Sequence, residues 1–323
     1  MALEDAATEV DGAFTRTSLT GQSYEATFGG ALSFLRRKYS KDLDGVDLAI
    51  TGIPFDSAVT YRPGTRLGPR AIREASALLV NDPPYGWDVN PLIDLSMVDY
   101  GDVAFDYGRV SDVPAQIENH ITGILKAGSA VLTLGGDHSI SHPILKAHAA
   151  VHGPLSLIQF DAHSDTWPDD DFNRIDHGTM FYKAVKQGLV VPDHSVQVGI
   201  RTVNADTLGV NIIDAPEIHE NSAKDIGTKI KSIVGDNPVY LTFDIDALDP
   251  AFAPGTGTPV SGGLSSAQAL AILRSMAGIN VVGMDVVEVS PPYDTTGATA
   301  IAGAHMAMEL LCLWAFNKRA RNV

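Results

Sequence analysis

The stretch Leu155-Ser156-Leu157-Ile158-Gln159-Phe160-Asp161-Ala162-His163-Ser164-Asp165 decides how the rest of the chain is read. Its apolar residues Leu155, Leu157, Ile158 and Phe160 read as a buried strand. Asp161, His163 and Asp165 follow at alternate positions. Residues i, i+2 and i+4 of an extended chain point to one side, so these three side chains converge if the extended course continues past the strand. Two carboxylates and an imidazole suit a divalent cation. The pattern recurs in Val239-Tyr240-Leu241-Thr242-Phe243-Asp244-Ile245-Asp246, an apolar run closed by acids two apart. A third run, Val131-Leu132-Thr133-Leu134-Gly135-Gly136-Asp137-His138, ends in glycines and then Asp137-His138. Three strand ends therefore offer six candidate ligands: His138, Asp161, His163, Asp165, Asp244 and Asp246.

Outward from these runs, strand and helix patterns alternate. Strands are predicted at 48–55, 97–99, 131–135, 155–160, 195–202, 210–214, 239–244 and 281–289, eight in all. Pro54 marks the end of the first, since proline interrupts a ladder. Helices are predicted near 112–128, 139–152, 177–188, 222–234, 265–277 and 299–319, with another opening at Pro69. Ser265 or Ser266 caps the fifth of these, and Lys318, Arg319 and Arg321 sit at the negative end of the last. The strands are Val/Ile/Leu runs without strict alternation, as expected of a mostly parallel sheet covered on both faces. Such sheets bind ligands at the carboxyl ends of their strands, where all six candidates fall. No repeat or Pro/Ser-rich linker divides the chain. The expectation is one catalytic domain over 47–323, preceded by an N-terminal arm over 1–46 that docks near a subunit contact and begins as a loose tail.

The composition narrows the classes. A chain of 323 residues, 45% hydrophobic, fills a sizeable core. A net charge of −16 argues against a nucleic-acid binder and fits either a cationic small molecule or plain solubility. Cys312 is the only cysteine, so no intrachain disulfide forms. The N-terminus, with Glu4, Asp5, Glu9 and Asp11, lacks a signal pattern, and no apolar run reads as long enough to span a bilayer. A cytoplasmic protein is the expectation.

A lone Asp after a strand is ordinarily a cap or turn residue. Asp-x-His-x-Asp and Asp-x-Asp closing apolar strands are different, because burying unpaired carboxylates is costly and a cation removes that cost. Four carboxylates and two imidazoles exceed one ion's needs, so two ions about 3.5–4 Å apart are expected. Oxygen-rich ligation points to Mn²⁺ or Mg²⁺, the imidazoles favour Mn²⁺, and Ni²⁺ or Co²⁺ would accept the same donors. Two such ions lower the pKa of a shared water, so hydrolysis is the expected reaction.

At this point a resemblance enters. Gly135-Gly136-Asp137-His138-Ser139, Asp161-Ala162-His163-Ser164-Asp165, Glu288 followed by Ser290-Pro291, and above all the run from Phe243 to Pro259 resemble the ureohydrolase family of arginases and agmatinases. The likeness covers about residues 45–315; Asp176-His177-Gly178-Thr179-Met180-Phe181-Tyr182 and Val286-Val287-Glu288-Val289 are nearest to bacterial agmatinases. It implies a three-layer α/β/α fold of the arginase-deacetylase kind, a binuclear manganese site and hydrolysis of a guanidinium group to urea and an amine. It further implies His138, Asp161, Asp165 and Asp244 on one ion and Asp161, His163, Asp244 and Asp246 on the other, with Asp161 and Asp244 bridging. His177 resembles the proton-transfer histidine, Glu288 the carboxylate that grips the guanidinium, and Asp165 a helper in proton transfer to the leaving nitrogen.

The loop Trp167-Pro168-Asp169-Asp170-Asp171-Phe172-Asn173-Arg174 lies between the metal motif and His177. Its acids Asp169, Asp170 and Asp171 are expected to complement the distal ammonium of agmatine, giving putrescine and urea, whereas Arg174 would suit a substrate carboxylate. Other guanidines (4-guanidinobutyrate, 3-guanidinopropionate, guanidinoacetate, guanidine, arginine) are the alternative, and a single-zinc deacetylase-like amidohydrolase is the second. The resemblance also implies a homo-oligomer, trimer or hexamer.

Overall fold

A computed structural model describes residues 10–321 apart from Ser23 and Ala205; the acidic residues Glu4, Asp5 and Glu9 lie outside the described residues. Nine parallel strands form one sheet: β1 (Lys38–Tyr39), β2 (Leu48–Ile53), β3 (Met97–Asp102), β4 (Ala130–Gly135), β5 (Ser156–Phe160), β6 (Val196–Ile200), β7 (Asn211–Asp214), β8 (Val239–Asp244) and β9 (Val281–Val287). Their order is β1-β3-β2-β4-β9-β8-β5-β6-β7. The expected count of eight is one short. The extra strand is the two-residue β1, which pairs Lys38 with Val98 and Tyr39 with Asp99 at the sheet edge. Two residues carry no periodicity to read. The segment before it is nonetheless anchored: Phe34 and Leu35 are fully buried, and the Phe34 N–H donates to Asp99 Oδ2 at 2.7 Å.

Alternation within the strands builds two cores, one on each face. Leu48 and Ile50 of β2, Ile158 and Phe160 of β5, and Leu241 and Phe243 of β8 face one core. They pack with Ile72, Ile226, Ile230, Ile272, Leu310 and Leu311 of helices 68–76, 223–234, 266–275 and 298–321. Ala49, Ile53, Leu157 and Tyr240 face the other, with Ile117, Ile121, Ile144, Leu145 and Phe181 of helices 113–126, 141–152 and 180–186. The result is the expected three-layer α/β/α arrangement. Each fully buried Leu, Ile or Phe contributes about 1.5–3 kcal/mol.

The last helix corrects one expectation. Ala298–Ala320 is long and apolar enough, by length and composition, to cross a membrane. Of its most apolar window, 78% is buried inside the fold, so its apolar surface is already covered by the sheet and its neighbouring helices.

Four adjacent central strands, β4, β9, β8 and β5, end at one edge. His138, Glu288, Asp244 and Asp161 stand at or just beyond those ends. β9 stops at Val287, short of the predicted Val289, because Glu288 turns to φ 63°. Just past β4, a Cβ on Gly136 would collide with the carbonyls of Ile53 and Phe55, so only glycine lets β4 pass the end of β2.

Candidate metal centre

The structure brings the six candidate ligands together. His138 Nδ1 lies 3.1 Å from Asp161 Oδ2, 3.1 Å from Asp165 Oδ2 and 3.2 Å from Asp244 Oδ2. His163 Nδ1 lies 3.1 Å from Asp246 Oδ2 and 3.5 Å from Asp161 Oδ1. Two ion-sized clusters result, His138-Asp161-Asp244 and Asp161-His163-Asp246, with one oxygen of Asp161 in each. Asp244 reaches only the first in this way; its Oδ1 accepts the Asp246 N–H at 2.8 Å. Asp165 arrives by a different route from the extended one expected, because its φ is 52°. The chain turns beyond Asp161, and the turn rather than the pleat aims the carboxylate inward. Such a non-glycine conformation costs on the order of 1–3 kcal/mol and persists where the surroundings impose it.

The donor set fits a divalent metal. His138 Nε2 is 2.8 Å from Thr242 Oγ1, and that hydroxyl donates to Asp285 Oδ1 at 2.5 Å. With the Thr242 proton committed to Asp285, Nε2 donates and the lone pair of the neutral ring is left on Nδ1, facing the three carboxylates. Nδ1 is buried and makes no hydrogen bond of acceptable geometry. Burial resists a proton there, yet Asp161, Asp165 and Asp244 outweigh it and hold the pKa well above the ordinary histidine value. A divalent cation would take the place of that proton. The acids carry the same message. Burial and then Asp161 push Asp165 up to about 6, and burial, Asp246 and Asp161 push Asp244 well up. Asp161 stays below its usual range: burial opposes this, but His138 and His163 prevail. So many carboxylates remain ionised together only with positive charge among them.

Glu288 stands beside the clusters. Its Oε1 accepts the His138 N–H at 2.9 Å and His177 Nδ1–H at 3.1 Å. Its Oε2 is buried without a partner. A Cβ on Gly257 would sit 3.3 Å from that oxygen, so glycine keeps the space over it open. Asp137 lies alongside, its carboxyl pushed up to about 7 by burial and then by Glu288. It accepts the Ala58 N–H at 2.9 Å, which fixes the loop carrying Thr60. The Thr60 N–H and Oγ1 lie 3.2 and 2.9 Å from His177 Nε2. Nε2 therefore accepts when neutral and donates to the hydroxyl when charged. Burial lowers the affinity of His177 for a proton, but Glu288 more than compensates and raises its pKa to about 9.

A cavity of about 490 Å³ opens onto this centre, lined by Thr60, His163, Asp165, Trp167, His177 and Asp244 among others. Arg174 also lines it, paired with Asp176 at 2.9 Å. Asp169, Asp170 and Asp171 do not. Asp169 pairs with Lys183, Asp170 accepts the Tyr182 hydroxyl, and Asp171 caps Asn173.

Several residues of the site were not read from the sequence. Thr60 sits in a loop with no motif of its own. Asp285 left a signal: one acid inside the otherwise apolar run Val281–Val287. It is fully buried and accepts from Thr242, Tyr240 and Ser141, three hydroxyls that satisfy the buried carboxylate.

Known proteins resemble this chain over most of its length. The arginase family model matches residues 46–312. An agmatinase of Chromobacterium violaceum is 55% identical over 94% of this chain and 94% of its own. The solved structure of a hypothetical agmatinase from Burkholderia thailandensis superposes with a TM-score of 0.95 at 56% identity, covering 96% of this chain and 99% of that one. A proclavaminate amidino hydrolase from Streptomyces clavuligerus superposes with a TM-score of 0.86 at 38% identity, covering 91% and 100%. With the match running over most of its length and the strand-end acids and histidines gathered as described, the chain belongs to the arginase family.

Proposed function

We propose that the protein hydrolyses agmatine to putrescine and urea at two divalent cations, manganese being the expected ion. The single observation that carries the guanidine reading is the buried, unpartnered Oε2 of Glu288, held open by Gly257 beside the paired histidine–aspartate clusters. A carboxylate and a guanidinium share a planar, two-pronged complementarity. The agmatinase relatives support agmatine among the guanidines.

His138, Asp161, Asp165 and Asp244 would hold one ion, and Asp161, His163 and Asp246 the other, with Asp244 the proposed second bridge. When bound, the ions supply a water that is nucleophilic at neutral pH and a Lewis acid for developing charge. The chain's own residues do the rest. Glu288 receives the guanidinium through Oε2 and fixes the face it presents. Asp165, beside His138, is placed to carry a proton toward the leaving nitrogen. His177 exchanges protons through Nε2, where Thr60 alternates as donor and acceptor. Trp167 and the Arg174–Asp176 pair flank the cavity that takes the substrate's far end. Asp176, not Asp169–Asp171, is the carboxylate in reach of an ammonium there.

The test is urea release across a panel of agmatine, arginine, 4-guanidinobutyrate, 3-guanidinopropionate, guanidinoacetate and guanidine. Agmatine is expected to lead in kcat/KM by about 10²-fold or more, since a misplaced charge is strongly rejected. A higher value for a carboxylate-ended guanidine would overturn the substrate assignment and turn attention to Arg174.

The relay behind His138 gives a second test. Thr242→Val keeps the shape of the side chain but removes the link to Asp285. Losing such an outer partner typically costs 10–100-fold in metal affinity. Chelator competition is expected to show a loss of about that size; unchanged affinity would leave the relay without a role.

A further inference from the structure

We propose that Lys183 is a positioning residue for the reaction: from behind the cavity wall it clips residues 167–176 and so sets where Trp167 and Arg174 meet the substrate. The proposal rests on the reading of that cavity as the guanidine site. Lys183 lies on helix Met180–Lys186 and is only 2% exposed. It is not among the residues lining the cavity of the metal cluster. Its ammonium donates to Arg174 O at 2.6 Å and pairs with Asp169 Oδ2 at 2.9 Å. One cation thus ties the loop at two points five residues apart. The preceding residue adds a third tie, the Tyr182 hydroxyl donating to Asp170 Oδ1 at 2.8 Å. Asp169 in turn accepts the Asp171 N–H at 3.0 Å, which shapes the bend between the ties.

The grip is stiff because its base is stiff. Phe181, two residues before Lys183 on the same helix, is fully buried in the core between helices 113–126, 141–152 and the sheet. The loop itself is thin. Behind it lies a second cavity of about 450 Å³, lined by Lys183, Lys146 and His142. Arg174 and Asp176 line both cavities, so residues 174–176 are the partition between them. A buried ammonium keeps its partners closely, because leaving it unpaired is costly. Position is thereby transmitted from the helix to Arg174 O, to the Arg174–Asp176 pair, and to the wall beside His177.

The catalytic groups are held by other means. His177 is fixed by Glu288 and Thr60, and the clusters by the ends of β4, β5 and β8. Cutting the clip therefore changes substrate binding more than turnover. Loss of binding shared by ground and transition states raises KM and leaves kcat.

The experiment is Lys183→Met, Asp169→Asn and the double variant, assayed with whichever guanidine the wild type hydrolyses fastest. That choice separates failure of the clip from failure of the agmatine assignment. Lys183→Met is expected to raise KM roughly tenfold or more, with kcat within about threefold and bound metal unchanged. Asp169→Asn is expected to move KM in the same direction, and the double variant no further than Lys183→Met, since losing Lys183 already removes the tie to Asp169 together with the tie to Arg174 O. Unchanged KM in a folded Lys183→Met enzyme, or a loss of metal with a matching loss of kcat, overturns the proposal. Should methionine at the buried position prevent folding, Asp169→Asn decides alone: a raised KM with unchanged kcat supports the clip, and wild-type kinetics overturn it.

Discussion

Asp161→Asn and Asp244→Asn are each expected to leave the protein without retained manganese and without measurable urea release. Asp161 has one oxygen toward His138 and the other toward His163, so it is the side chain common to both clusters. Asparagine keeps the shape but replaces a charged oxygen with an amide donor, which a cation repels. Asp244 supplies the oxygen 3.2 Å from His138 Nδ1, and its other oxygen accepts the Asp246 N–H. Its replacement disturbs the first cluster directly and the second through Asp246. A stability measurement separates metal loss from misfolding. In metal-free protein the acids repel one another, and burial with Asp246 and Asp161 already raises Asp244 well above its usual value. Neutralising it relieves repulsion, so the metal-free Asp244→Asn protein is expected to melt no lower than metal-free wild type. Only wild type gains on adding Mn²⁺, because a ligand bound to the folded state alone stabilises it. Metal analysis finding two ions in a fully active variant would sink the binuclear assignment.

The site was legible in the sequence to the extent that its chemistry is local. Asp161, His163 and Asp165 fall within five residues, and Asp244 and Asp246 within three, so their spacing announces a shared purpose. The geometry behind the spacing was not legible. Asp165 reaches His138 through a turn at φ 52°, not through the alternation of an extended chain. Partners far apart in sequence were invisible. Thr242 and Asp285 lie opposite each other in the register of β8 and β9, 43 residues apart, and only the sheet order reveals the relay. The acids Asp169–Asp171 show the converse failure. Three acids in a loop look like a surface for a cationic substrate, but Asp169 faces a cation of the protein's own, Lys183 of the following helix, while Asp170 and Asp171 bond to Tyr182 and Asn173. Sequence gives the charge of a loop without its facing. The last helix shows the same limit from the other side: it passes for a span by length and composition, and apolar composition does not say whether the covering phase is lipid or a sheet.

His177→Ala is expected to lower kcat by about 10²–10⁴-fold, the usual range for a lost general acid–base group, with bound metal unchanged. Its ring lies in neither ion-sized cluster. Nδ1 is held by Glu288 and Nε2 by Thr60, so the ring has one orientation and one exchangeable position. Glu288 keeps its second contact, to the His138 N–H, and the guanidinium grip survives the substitution. The pH dependence follows from the same pair. Burial disfavours the charged ring, but Glu288 at 3.1 Å prevails and places the pKa at about 9, above the ordinary value near 6.5. Stabilisation from the charged pair is thus fully present below about 6.5 and is lost as pH rises through about 9. A rate limb that depends on the protonated ring falls over that same window, and cations bound in the adjacent clusters draw it toward lower pH. The variant is expected to lose this alkaline limb along with its turnover, while chelator competition reports wild-type metal affinity. An alkaline limb that persists at the same pH in His177→Ala assigns it to another group, and loss of metal from that variant would make His177 a ligand instead.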